Sequence, residues 1–299
     1  MAQEFKAGDA NRITREYFDS ILIEMRHIDA VLPNLELSLY GENFDTPIMT
    51  AALSHLDKFG HHKDGMAELA RGAKAAGAVM WAGMGDEAEL DRIIATGAKT
   101  IKIVKPEADE ESIFRRLEHA EKAGCIALGM DLDHSFNRKG EYDLVDNIPM
   151  RPKTLDQVKQ YVNATKLPFI IKGVLSVQDA MKCLEAGVQG IVVSHHHGIM
   201  DYAVPPLMIL PKIVDAVGGK MPIFVDCSVD SGFDAFKALA LGATAVSAGR
   251  IVIGPLSKTG ADGVKEKINE MTAQLAGAMA RTCSPDLGSI DRSLIYCGC

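Results

Sequence analysis

No apolar run in this chain approaches the about 20 residues that a bilayer-crossing helix needs. The opening residues, MAQEFKAGDANRITREYF, lack the apolar core of a secretory leader. A cytoplasmic protein without a membrane partner is therefore expected. Positive charge is not in excess either: 32 Lys and Arg against 40 Asp and Glu leave a net charge of −8. That balance offers no general attraction to nucleic acid, although a small anionic ligand could still find a local basic site. Cysteine is sparse and unpatterned. Cys125, Cys183, Cys227, Cys283, Cys297 and Cys299 lie in apolar or turn contexts, as expected of free thiols in a reducing compartment. The terminal Cys-Gly-Cys is expected to be a frayed tail. No Pro/Gly/Ser-rich linker divides the chain, and neither His-x-x-His nor His-Glu-x-x-His spacing occurs, so no metal site is expected.

What the chain has is alternation. With 47% hydrophobic residues over 299 positions it can bury a sizeable core. From residue 47, short apolar runs trade places with amphipathic stretches. The runs are PIMTAAL (47–53), AVMWAGM (78–84), KTIKIVK (99–105) and CIALGMDLD (125–133), then LPFIIKGVL (167–175), GIVVSHH (190–196), PIFVDCSV (222–229) and TAVSAGRIVI (244–253). Continuous apolar runs mark strands covered on both faces. The intervening segments repeat at helical period and commonly end at Ala-Gly or Leu-Gly, where glycine caps a helix. Eight strand–helix units in one undivided chain predict an α/β fold, a (β/α)8 TIM barrel with a short N-terminal extension. We expect one domain over 1–299. Residues 1–45 would form a helix and a short β-segment closing the bottom of the barrel, 46–281 the barrel, and 282–299 a C-terminal tail.

In such a barrel the ends of the strands face the mouth, where chemistry is done. Lys172 after strand five, Asp131 after strand four, Asp226 after strand seven and Gly249-Arg250 after strand eight would converge there with His195, His196 and His197. A lysine inside FIIKGVL needs an anionic partner, and Asp131 or Asp226 would supply it. The turns DCSVDSG and SAGR would lie side by side, as phosphate-binding loops do in this fold. The three histidines admit three readings: a base, a metal cluster, or a polar loop. His61-His62 is expected to form a solvated turn, and Met80, Trp81 and Met84 to be core.

The segments IIKGVLSVQDAMKCLEAGVQGIVVSHH and DCSVDSGFDAFKALALGATAVSAGR, with PIMTAAL and GMDLDHSFNRKG more weakly, resemble the FMN-dependent 2-hydroxy-acid oxidases and dehydrogenases, which include glycolate and lactate oxidase. The resemblance spans about residues 11–281. It implies FMN as cofactor, and an oxidoreductase that passes a hydride from a hydroxylated small-molecule substrate to the flavin while a histidine takes the hydroxyl proton. It implies His196 as that base, Asp131 as the aspartate orienting it, Lys172 against the flavin N1–C2 carbonyl edge, and Arg138 as a mobile arginine reaching the substrate carboxylate. Ser194, Asp226, Ser228, Gly249, Arg250, Lys102, Ala52 and Ala82 are the cofactor contacts it implies, with Gly249 and Arg250 at the phosphate. It further implies a homo-oligomer, a tetramer.

The departures from the family pattern bear on substrate. HHHGIMD puts Ile199 or Met200 where the family has a carboxylate-anchoring arginine. Val104 stands for a tyrosine and Lys102 for a glutamine, the N-terminal substrate tyrosine is missing, and DSG replaces an arginine-bearing turn. The loop between Arg138 and Thr154 is shorter than the family's lid. An atypical substrate is thus expected, met by a wider mouth in which His195 and His197 are free to bind it. Two other readings are an FMN-dependent isomerase like the type 2 isopentenyl diphosphate isomerases, and a metal-dependent aldolase.

Overall fold

Eight parallel strands close on themselves in the computed structural model, which describes residues 6–58 and 64–297. They are β1 (Ile48–Thr50), β2 (Met80–Ala82), β3 (Thr100–Val104), β4 (Ala127–Asp131), β5 (Phe169–Val174), β6 (Ile191–Val193), β7 (Ile223–Val225) and β8 (Ala245–Ala248). From β2 to β8 each pairs with its sequence neighbour, and β8 returns to β1. The seam between β1 and β2 is held by the Thr50 N–H on the Val79 carbonyl (3.1 Å) and the Gly83 N–H on the Leu53 carbonyl (2.9 Å). This is the expected (β/α)8 barrel. Among the described residues no helix is long and apolar enough to cross a membrane.

Alternation along the strands gives the barrel two cores. Met49, Trp81, Ile101, Ile103, Ala127, Ile170, Val192, Phe224 and Ala245 fill its interior. The opposite faces, with Ile48, Met80, Leu128, Ile171 and Val246 among them, pack against the surrounding helices. Six of those helices begin at a side chain that accepts a backbone N–H of the first turn: Asp64, Asp86, Asp109, Thr154, Ser176 and Ser231. Such caps satisfy amides that the helix itself leaves unpaired.

The ends of the chain depart from expectation. The hairpin of Leu37–Leu39 and Glu42–Phe44 does close the bottom: Leu37, Leu39 and Phe44 join the interior core, and the Tyr40 hydroxyl donates to the Gln189 carbonyl (2.9 Å). The first helix, α1 (Ala10–Ser20), instead lies at the opposite end, against the loops after β6 and β7. Its Arg15 makes a two-pronged pair with the buried Asp234 (2.8 and 3.1 Å), which fixes it there. The tail is not frayed as far as Cys297. Ile295–Cys297 pairs antiparallel with Ile21–Ile23, while Ile290 and Leu294 are buried beneath. Cys299, like His61-His62, lies outside the described residues.

Phe224 is fully buried and edge-on to both Trp81 and Tyr40, so it joins the interior layer to the bottom hairpin. Phe224→Ala should cost about 3–5 kcal/mol of stability, read as a lower denaturant midpoint. A midpoint equal to the parent's would contradict that role.

Candidate active site

The interior register of the strands continues past their last hydrogen bonds into the mouth. Two residues beyond Ile103, Ile170, Val192 and Phe224 stand Lys105, Lys172, Ser194 and Asp226, and Asp131 ends the same face of β4. A cavity of about 340 Å³ is bounded by Ala52, Lys172, His196, Asp226, Ser228 and Arg250, among others. A smaller one of about 260 Å³ shares Ala52, Ser54 and His196 with it and reaches Lys105, Asp131 and His134. Ser247 and Gly249 also line the larger cavity.

Lys172 is the centre of charge. The residue is 5% exposed, and its ammonium lies 3.5 Å from Asp131 and 3.7 Å from Asp226. Burial works against its charge, but Asp131, Asp133 and Asp226 outweigh that and keep it protonated. Asp131 also accepts from Lys105 (2.7 Å). Burial alone would raise the Asp131 pKa, yet Lys172 and Lys105 hold it well below the usual carboxylate range.

His196 lies against this pair. Its Nδ1 is 2.7 Å from Asp133, 3.3 Å from Asp131 and 3.1 Å from the Lys172 ammonium, and its backbone N–H donates to Ser194 Oγ (3.0 Å). Burial and Lys172 push its pKa down, Asp131 and Asp133 push it up, and the net shift is upward. Asp133 is raised to about 6, by burial and by the negative charge of Asp131. Among the described residues its second oxygen is buried without a hydrogen-bond partner, above Gly173. Gly173 sits in an irregularity of β5 at φ +91°, and a Cβ there would come within 2.6 Å of Asp133. The positive φ and the missing side chain are both needed. On its other edge His196 meets His134, Nε2 to Nε2 at 3.0 Å.

The other two histidines are staples. His195 takes the Gly198 N–H on Nδ1 (2.9 Å) and so donates from Nε2 to Thr14 of α1 (2.8 Å). His197 Nδ1 donates to Asn11 Oδ1 (2.5 Å), and Asn11 returns a bond to the His197 carbonyl (3.0 Å). They were expected to be free for substrate; packing α1 at the mouth uses both nitrogens of His195 and Nδ1 of His197 instead, while His197 still lines the larger cavity. The loops they fix hold consecutive left-handed residues, His196-His197 after β6 and Cys227-Ser228 after β7. Such backbone persists only where its surroundings over-determine it.

Of the expected site residues, His196, Asp131, Lys172, Ser194, Asp226, Ser228, Gly249, Arg250 and Ala52 gather at the mouth. Lys102 and Ala82 do not. Each is one residue off the interior register and faces the helices, Lys102 donating to the Gly83 carbonyl (2.6 Å) and Ala82 packing in the outer core. A shift of one position along a strand reverses the face, so Lys105 and Gly83 stand where these two were expected. Burial lowers the Lys102 pKa to about 8. Arg138 lies farther out, donating to the Gly198 carbonyl (3.2 Å) beside Ile199 and Met200 in an outer cavity of about 550 Å³. The sequence reading passed over Lys105, Asp133, His134 and Asp143; strand parity alone would have pointed to the first. Donor atoms of Asp131, Asp133, His134 and His196 lie within 4.8 Å of one another. Lys105 and Lys172 stand against one of these carboxylates, Asp131, at 2.7 and 3.5 Å.

The family model described as FMN-dependent dehydrogenase matches residues 2–158 and 150–297. Glycolate oxidase 1 of Oryza sativa subsp. indica is 29% identical over 322 residues, covering 94% of this chain and 86% of that protein. A peroxisomal (S)-2-hydroxyacid oxidase of Arabidopsis thaliana is 29% identical over 312 residues, with 91% and 82% covered. A solved structure of a mandelate oxidase variant with (S)-mandelic acid superposes with a TM-score of 0.88 at 28% identity, covering 98% of this chain and 91% of that one.

A depressed Asp131 pKa gives stability above the ordinary aspartate value that is lost as pH falls through the folded one. Lys172→Met removes a cation from this cluster, and breaking such a buried pair costs about 3–5 kcal/mol. Acid unfolding, followed by the fluorescence of Trp81, should therefore begin at higher pH in Lys172→Met. An unshifted acid midpoint would show that the ammonium does not carry these carboxylates.

Proposed function

The chain belongs to the FMN-dependent dehydrogenase family and is an FMN-dependent oxidoreductase; from this we propose that it oxidises a 2-hydroxy acid larger than glycolate or lactate, with His196 as the base. One observation carries the reading: the His196 imidazole stands at the end of β6 with Nδ1 on two carboxylates and Nε2 turned away from them.

The residues present fit the cofactor. The larger cavity has the Lys172 ammonium at its inner wall and Arg250 at its rim, and among the described residues no carboxylate lies within 4.0 Å of the Arg250 guanidinium, whose bond to Asn11 is long (3.5 Å). A cation left without an acid partner suits a phosphate, and a buried ammonium suits an electron-rich ring edge. Arg250, Gly249 and Ser228 would hold the phosphate end, and Lys172, Ser194 and Ala52 would stand by the ring. When bound, FMN supplies the two-electron acceptor for the hydrogen leaving the hydroxyl-bearing carbon.

The protein's own part is proton transfer and positioning. Neutral His196 takes the hydroxyl proton on Nε2, and Asp131 and Asp133 stabilise the imidazolium so formed while fixing the ring through Nδ1. The carboxylate end of the substrate meets Ile199 and Met200 where the family has an arginine. Charge-assisted hydrogen bonds contribute about 1.5–3 kcal/mol each, so a short acid loses most by that replacement. A larger acid can offset part of that loss by burying its side chain against Phe136, Ile199 and Met200 in the outer cavity.

His196→Ala should keep the yellow cofactor and lower turnover about 10²–10⁴-fold; parent-like turnover would remove His196 from the chemistry. With neutral His196 required and its pKa raised above 6.5, kcat/KM should fall as pH drops through an apparent pKa above that value, and Asp131→Asn should move the limb to lower pH. Arg250→Ala should weaken FMN binding about 10- to 150-fold, equivalent to about 1.5–3 kcal/mol, measured by flavin fluorescence titration. Unchanged affinity would place the phosphate elsewhere.

A further inference from the structure

His134 and Asp143 have no part in the function proposed above, yet they form a second dyad in contact with the first. His134 follows β4, and its Nε2 is 3.0 Å from His196 Nε2, the rings edge-on with centroids 4.2 Å apart. Its Nδ1 is 3.0 Å from Asp143 Oδ2. Two imidazole nitrogens this close share one hydrogen, so one donates and the other accepts. The carboxylate decides which. Asp143 takes a hydrogen from Nδ1 of His134, leaving the lone pair on Nε2, and His196 Nε2 must therefore donate. His196 Nδ1 has two short contacts, the Asp133 carboxylate at 2.7 Å and the Lys172 ammonium at 3.1 Å; the shorter one, to the acceptor, assigns the hydrogen to Nδ1, with the ammonium drawn by charge towards Asp131 and Asp226 at 3.5 and 3.7 Å.

His196 thus rests with both nitrogens protonated and cannot act as a base until one proton leaves. The upward shift of its pKa agrees. His134 cannot store that proton: burial, Lys105 and the His196 charge push its own pKa down to about 4, against the pull of Asp143. The groups facing His134 are Lys105 from β3, Asp131 from β4, His196 from the β6 loop and Asp143 from its own loop, with His55 and Asp146 paired to each other across the small cavity. Those facing His196 are Lys172 from β5, Asp131, Asp133 and His134.

We propose that His134 and Asp143 are a proton relay that unloads His196 between turnovers. The His196 Nε2 proton passes to His134 Nε2 while the His134 Nδ1 proton passes to Asp143. From that carboxyl, 21% exposed, it goes to water. One proton leaves the imidazolium and one reaches solvent. His134 stays neutral and changes tautomer, and Asp143 returns to its carboxylate. The substrate hydroxyl then replaces His134 at His196 Nε2, and the freed ring exchanges its proton with water. His134 and Asp143 act through His196 and are positioning residues in this scheme, which rests on the reading of His196 as the base.

The test uses the FMN-loaded protein and the variants His134→Asn, Asp143→Asn and His196→Ala. Nitrogen-15 NMR of the imidazoles, which needs no substrate, should give His134 as the neutral Nδ1–H tautomer between pH 6 and 8, and Asp143→Asn should disturb that preference. Anaerobic flavin reduction by (S)-mandelate should slow about 10²-fold in His134→Asn, with a changed solvent isotope effect, a displaced acid limb and partial rescue by added imidazole. A His134 that carries its hydrogen on Nε2, or whose tautomer ignores Asp143→Asn, overturns the relay. So does a His134→Asn protein with the parent's rate, isotope effect and pH profile while His196→Ala is dead. If His196→Ala keeps the parent's rate, the base assignment itself has failed.

Discussion

The site depends on keeping one ammonium charged where water barely reaches it. Lys172 ends a strand whose other interior side chains are apolar, and a lone cation there would lose its proton rather than remain ionised. Asp131 ends the neighbouring β4, paired in register with Lys172, and Asp226 follows β7, two strands away on the other side, and together they turn the liability into a fixed field. Everything else at the mouth takes its protonation from that field. Asp131 is held ionised, Asp133 beside it is pushed the other way, and His196 sits on the boundary between them. A single charge pattern thereby sorts two neighbouring carboxylates into different roles.

Geometry at the mouth is set less by the strands than by α1. Through Thr14, Asn11 and Arg15 the helix grips His195, the His197 backbone and the Ser228 carbonyl, on both loops whose left-handed residues flank the larger cavity. The histidine run of the β6 loop therefore divides by direction. Two imidazoles hold the loop to the helix and the middle one faces the charges, as three successive side chains must when the backbone turns tightly.

Much of this was legible in the sequence. Unbroken apolar runs between capped helices announced a barrel, and the positions of Lys172, Asp131, Asp226 and His196 after their strands announced the mouth. Lys102 and Ala82 show where such reading stops. β2 is apolar on both faces, so no alternation marks which of its residues point inward, and in β3 the polar Thr100 and Lys102 lie on the outward face while Ile101 and Ile103 fill the interior, so taking the polar positions for the inward ones exchanges the faces. Counting outward from Trp81 and Ile103 in steps of two would have given Gly83 and Lys105. His134 was hidden for another reason: its partners, His196 and Asp143, come from a different strand end and from a two-stranded ribbon within a loop, and only the folded chain brings them together. The placement of α1 was equally closed to a linear reading, because Arg15 finds Asp234 across most of the chain.

The short ribbon joining Ile21–Ile23 to Ile295–Cys297 bears on how the molecule is made. Its two halves flank the barrel in sequence, one before β1 and one after β8, and the β8–β1 seam likewise ties late residues to early ones. As the chain emerges from a ribosome, β1 has only the nascent strands on one side and waits for its other neighbour until nearly the whole barrel has been synthesised. Contacts so distant in sequence are slow to form, and until they do the apolar edge of β1 is open to chaperones or to a neighbouring nascent chain.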